Sequence, residues 1–263
     1  MQRVAHWLRH TPMTEPGALA LEFEKLPSDV ASLNRLAQGL LVHSEWLSAY
    51  GVDASALRSA NRVTLPVSER LGELLKLAKR GLHVARAPAN RSAGACRDFA
   101  LTLCSFLRAT GTPARLRCGF AAYFAQGWED HWVCEYWDGQ RGDWRLSDPQ
   151  LDEFTRIQCA VSFDPSNVPR DLFLTGGEAW LRCRAGEEDP DRFGHAEVKG
   201  FWFVKVNVVR DAYAVNGRET SAWDKWREAP SDRRRVMPEE LPHMDGLARR
   251  PEDPTGDIIP TWL

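Results

Sequence analysis

The chain has 263 residues, with 34 Lys and Arg against 36 Asp and Glu. The net charge of −2 points to neither a nucleic-acid nor a membrane partner. Hydrophobic residues make up 43% and include 11 Trp and 11 Phe, ample for a core, so one large domain or a catalytic core with additions is expected.

The first residues, Met1 to Leu8, hold no apolar run long enough for a signal sequence, and no later segment is an uncharged span of membrane length. A cytoplasmic protein is the expectation. Six cysteines at 96, 104, 118, 134, 159 and 183 contain no C-x-x-C pair, which argues against structural zinc and for free thiols. Cys118 and Cys134 lie on strands expected to be neighbours, so one pairing there stays open.

In chain order, Ser28 is placed to cap an amphipathic helix of which Val30, Leu33, Leu36, Ala37, Leu40, Leu41, Ser44 and Leu47 form one face, ended by Tyr50-Gly51. His43 and Trp46 fall beside that face, where they either line a cleft or pack as ordinary helix residues. Ser68 is the expected cap of a second helix through Leu71, Leu74, Leu75 and Ala78 to Gly81.

The run Gly94-Ala95-Cys96-Arg97-Asp98-Phe99-Ala100 reads as a loop turning into a helix that begins at Cys96. Phe99, Ala100, Leu103, Phe106 and Leu107 recur at three- and four-residue steps and predict one buried stripe over Cys96–Ala109. Thr110-Gly111-Thr112-Pro113 ends it, glycine suiting the left-handed position and proline being unable to continue. A cysteine at a helix N-terminus meets unpaired N–H groups and the positive end of the dipole, which favour thiolate. The plain alternative is a small buried core residue.

Ala114 to Phe124 predicts a central strand, followed by a second through His131-Trp132-Val133-Cys134-Glu135-Tyr136-Trp137. The Asp138 to Gly142 connection makes a hairpin to Trp144-Arg145-Leu146-Ser147-Asp148. Alternation puts His131, Val133, Glu135 and Trp137 on one side, and Asp148 returns to the level of His131. Alone, His131 is a surface histidine and Asp148 a turn former before Pro149. With Cys96 they are the nucleophile, base and orienting carboxylate of a thiol enzyme.

Beyond Asp148, Glu178–Arg184 predicts a short helix closed near Gly186, residues 189–194 a loop, and Gly200–Asn216 a longer apolar helix ended by Gly217. On that helix Asn207, Arg210 and Asp211 form either a structural hydrogen-bond network or one wall of a substrate pocket. Arg233-Arg234-Arg235 reads as solvated surface. The expected layout is a single domain, with helical residues 1–85, a core over 86–155, helical residues 156–230 and an extended tail over 231–263.

From Gly94 to Pro149 the chain resembles the transglutaminase-like superfamily of cysteine enzymes, in its bacterial-type domain. Leu107-Arg108-Ala109-Thr110-Gly111-Thr112-Pro113-Ala114-Arg115, His131-Trp132-Val133-Cys134-Glu135 and Trp144-Arg145-Leu146-Ser147-Asp148-Pro149 carry the likeness. The resemblance implies a Cys96, His131, Asp148 triad and an α+β, papain-like core with the nucleophile helix packed on an antiparallel sheet. Trp132 replaces a small residue after the histidine, and Val133 stands where the family usually has Trp, so the substrate channel is expected to differ. No acidic calcium-binding loop is present.

The functional expectation is a cysteine-dependent hydrolase or amine acyltransferase acting on an amide, ester or thioester of a small molecule or peptide. Neither cofactor nor metal is called for. Trp132, His43, Asn207 and Arg210 are the candidate substrate-binding residues. The alternatives are a biosynthetic or catabolic enzyme using the thiol in a non-hydrolytic step, and a non-catalytic peptide-binding module.

Overall fold

A computed structural model describes residues 4–53, 65–77, 80–124, 126–219 and 234–252. The fold is α+β. The chain forms two compact units, Met1–Arg115 with Val133–Val168, and Leu116–Trp132 with Pro169–Leu263.

In the first unit, α1 (Ala20–Phe23) precedes α2 (Val30–Leu40). The cap of α2 is Asp29 rather than Ser28, its carboxylate accepting the Ser32 N–H at 2.8 Å, where negative charge suits the helix dipole. The helix also stops short of Leu47. Leu41–His43 leave it as β1, which pairs in parallel with β2 (Ser92–Gly94), Leu41 facing Ser92 and His43 facing Gly94. Strand partners 51 residues away outweigh a helical period that continues past Leu40. The following turn buries Leu47 and Val52 against Val42 and Ala93, and Tyr50 Oη donates to Asp152 Oδ1 at 2.7 Å.

Helix α3 (Val67–Leu77) starts one residue before the expected Ser68 cap, the N–H groups of Glu69 and Arg70 turning back to the Pro66 carbonyl. Its expected continuation through Ala78 lies outside the described residues. Helix α4 (Cys96–Ala109) keeps its predicted bounds but not its predicted single stripe, because every residue from Cys96 to Arg108 is buried. Its polar residues find partners in other segments of the chain. Ser105 Oγ donates to the Thr14 carbonyl at 2.6 Å, and Arg108 reaches the Ala114 carbonyl and Thr14 Oγ.

Strand β3 (Ala114–Ala121) ends three residues short of Phe124. Strand β4 (Trp128–Asp138) contributes its first five residues to the second unit and its last six to the first. In the first unit it pairs antiparallel with β5 (Asp143–Ser147), Cys134 facing Ser147, and α5 (Glu153–Gln158) follows.

The sheet of the second unit also contains β6 (Phe173–Thr175), β7 (Phe193–His195) and β8 (Val198–Lys199), in the order β6-β3-β4-β7-β8. It is mixed rather than wholly antiparallel, since β7 runs parallel to β4. Phe193 and Gly194, expected in a loop, find ladder partners on that strand.

Helix α6 (Gly176–Ala185) starts in a Thr175/Glu178 capping box and ends at Gly186 in the left-handed region, φ +74°. Helix α7 (Phe201–Val215) is buried almost throughout. Helix α8 (Leu241–Arg249) corrects the expected extended tail, with Met244 and Leu247 joining Phe120, Trp180, Phe193 and Phe203 in one core. Arg234 lies 5.6 Å over the Trp202 ring, so the basic run is packed there as well as solvated; Arg233 lies outside the described residues.

Candidate functional site

The turn at Cys96 is held by charge on both sides. Ala95 is extended and Cys96 is the first helical residue, at the border of burial with 9% exposure. Asp98 Oδ2 accepts the Ala95 N–H at 2.9 Å, satisfying one of the helix's unpaired donors. A Cβ on Gly94 would stand 2.9 Å from both Cβ and Oδ2 of Asp98, so only glycine admits the carboxylate this close.

A carboxylate in the first turn would oppose a thiolate at Cys96, but this one is neutralised. Arg70 Nη2 lies 3.1 Å and Arg97 Nη1 3.3 Å from Asp98 Oδ1, all three side chains buried. Arg70 also donates to the Ala93 carbonyl at 2.6 Å and to Ser92 Oγ, joining β2 to the start of α4. The sulfur thus stands at the N-terminus of a helix whose first turn is fixed by these bonds.

Three other cysteines have raised thiol pKa values. Burial, then a hydrogen bond with Cys104, raises the Cys134 thiol well above the ordinary range. Burial and the charge of Asp148 raise Cys159, and burial pushes Cys183 up to about 12. Cys118 Sγ donates to Asn207 Oδ1 at 2.8 Å, which accounts for it without the pairing to Cys134 left open above.

His131 belongs to the second unit, on β4, 2% exposed. The rings of Tyr123 and Phe124 stand edge-on to its imidazole, at centroid distances of 5.9 and 4.7 Å. Asp148 belongs to the first unit, fully buried, its N–H donating to the Pro165 carbonyl at 2.8 Å and its Oδ1 accepting the Gln150 N–H at 2.9 Å.

The four candidate substrate-binding residues part company. His43 ends β1, opposite Gly94, half-buried, with Nδ1 accepting the Glu45 N–H at 3.3 Å, and the Ser44 N–H donates to the Gly94 carbonyl. Trp132 is fully buried, its ring 5.2 Å from the Arg210 guanidinium. Arg210 Nη1 donates to Asp130 Oδ1 and Oδ2 at 3.1 and 3.3 Å and to Asn207 Oδ1 at 3.2 Å. Asn207, Arg210 and Trp132 are therefore assembled into a buried network. Sequence reasoning overlooked Arg70 and Asp130. Asp130 precedes the motif histidine directly, and an acidic residue on a core strand signals a buried partner.

Among the described residues no group of His, Cys, Asp and Glu could hold a metal ion, and no helix is long and apolar enough to cross a membrane.

Residues 51–149 match the family model of the transglutaminase-like superfamily. That stretch is similar to a transglutaminase-like domain. The matched stretch includes α3 through β5 and ends at Pro149, immediately after Asp148. A solved structure of a "Putative Cysteine Protease" from Cytophaga hutchinsonii is similar at 16% identity, with a TM-score of 0.41 over 66% of this chain. This chain covers 46% of that one. No curated protein matches.

Proposed function

We propose that the transglutaminase-like domain forms an acyl-enzyme on Cys96 from an amide, ester or thioester of a small molecule or peptide and passes the acyl group to water or an amine. The setting of Cys96 carries this reading: the first residue of a buried helix, with the Asp98 carboxylate of the same turn paired with Arg70 and Arg97.

In the proposed cycle His131 takes the Cys96 proton and the sulfur adds to the carbonyl carbon. Collapse breaks the bond to the leaving group, which the imidazolium protonates. The thioester is then cleaved by water or an amine that His131 deprotonates, returning the thiol. Asp148 fixes the imidazole tautomer. Helix N-terminal N–H groups, that of Cys96 included, supply donors to the oxyanion.

Iodoacetamide alkylation of each cysteine against pH, read by mass spectrometry, tests the nucleophile without a substrate. Cys96 is expected to react fastest, with an apparent pKa below the free-thiol value of about 8.5, and to lose that advantage in a His131→Ala variant. A Cys96 no faster than the other five overturns the reading.

A further inference from the structure

Strand β4 presents Asp130, His131 and Trp132 in succession, so alternation turns Asp130 and Trp132 to one face and His131 to the other. The Arg210 guanidinium touches both flanking side chains, 3.1 Å from Asp130 Oδ1 and 5.2 Å from the Trp132 ring. We propose that Arg210 is a positioning residue for His131, gripping the strand from behind so that the imidazole is presented in one orientation. The inference rests on the assignment of His131 as the base.

Three observations carry it. First, burial is nearly complete, with the side chains of Arg210 and Asp130 each 2% exposed and Trp132 fully buried. Buried ion pairs are often no more stabilising than apolar residues of the same volume, and the role proposed for this one is direction. The planar guanidinium meets a carboxylate edge and an indole face at once, which no apolar side chain does.

Second, α7 grips the sheet with two pairs of opposite sense. Asp211, next to Arg210, accepts from Arg117 of β3 at 2.9 and 2.7 Å and from the Cys118 N–H at 3.0 Å. Asn207 Oδ1 bridges the pairs, accepting from Arg210 Nη1 and Cys118 Sγ. Exchanging the two strands beneath α7 would set Arg210 on Arg117 and Asp211 on Asp130, like charge on like. The arrangement therefore admits one placement of β4.

Third, the other face of the strand is also constrained, because Tyr123 and Phe124 stand edge-on to the imidazole. With the backbone fixed behind and aromatic rings in front, the ring of His131 has little rotational freedom.

The test removes the pair without leaving a buried charge, in the double variant Arg210→Met/Asp130→Leu. Its thermal transition and near-ultraviolet dichroism are expected to stay close to the parent's. Its Cys96 alkylation at pH 7 is expected to fall at least about tenfold, toward the His131→Ala rate. Adding His131→Ala should slow it no further, because Arg210 acts through His131. A folded double variant with the parent's pH profile, or losses that multiply in the triple variant, would overturn the inference.

Should the double variant not fold, Asp130→Asn is read in the same way. In the unaltered protein, nitrogen-15 spectra should show a single set of His131 ring signals; several sets, or rapid averaging, would contradict the proposal. A Cys96 profile indifferent to His131→Ala would instead remove the base assignment and the inference with it.

Discussion

Arg70 shows how one side chain can fix a reactive turn. It bonds β2 through Ala93 and Ser92 and the first turn of α4 through Asp98, so it spans the chain on either side of Cys96. Arg70→Ala leaves the buried Asp98 with Arg97 alone. The loss of stability is expected at the lower end of about 3–5 kcal/mol, by urea denaturation; a loss below about 1 kcal/mol would refute the role. The thiols make a second residue-level prediction. A pKa near 12 leaves Cys183 about one ten-thousandth thiolate at pH 8, so despite partial exposure it should alkylate far more slowly than a free cysteine. Its rate should climb tenfold per pH unit through pH 9 and 10, and a plateau near pH 9 would contradict this.

Among the elements, α4 divides what local pattern reveals from what it does not. Its ends were legible because capping and stop residues are local, and its apolar spacing declared a helix. Its complete burial was not, since Thr14 and Arg70, which satisfy its polar residues, come from two distant segments. Ser105→Ala should accordingly cost about 1–3 kcal/mol, by stranding the Thr14 carbonyl, measured as a lowered denaturant midpoint; an unchanged midpoint would show that carbonyl satisfied otherwise. The end of α2 failed for the complementary reason. Leu41 and Val42 continue a helical period but are taken by a strand far along the chain. Cys96, His131 and Asp148 stand out as motif residues and Arg210 as a polar group on an apolar helix, while Asp130 became visible only as the partner of Arg210.

At the scale of the molecule, the expected succession of segments gives way to two units whose stretches alternate along the chain. Periodicity reports neighbours within a helix or strand and is silent on which distant segment completes a core. A chain ending at Val168 would keep the whole family match and all three proposed triad residues. It would lose Arg210 and Asp211, partners of Asp130 and Arg117, and Phe193 and Phe203, which pack on Phe120. Such a fragment is expected to be insoluble or to lack near-ultraviolet dichroism, and a cooperative unfolding transition from it would refute the dependence.

Strand β4 also bears on how such a protein can change over generations. Because residues 116–132 of the second unit are threaded between stretches of the first, that unit cannot be gained, lost or traded by a single contiguous insertion. Recombination would need three breakpoints, near 115, 132 and 168, cut together. Shuffled libraries with one crossover inside the chain should therefore yield few folded members, and the two units are expected to pass between lineages as a package.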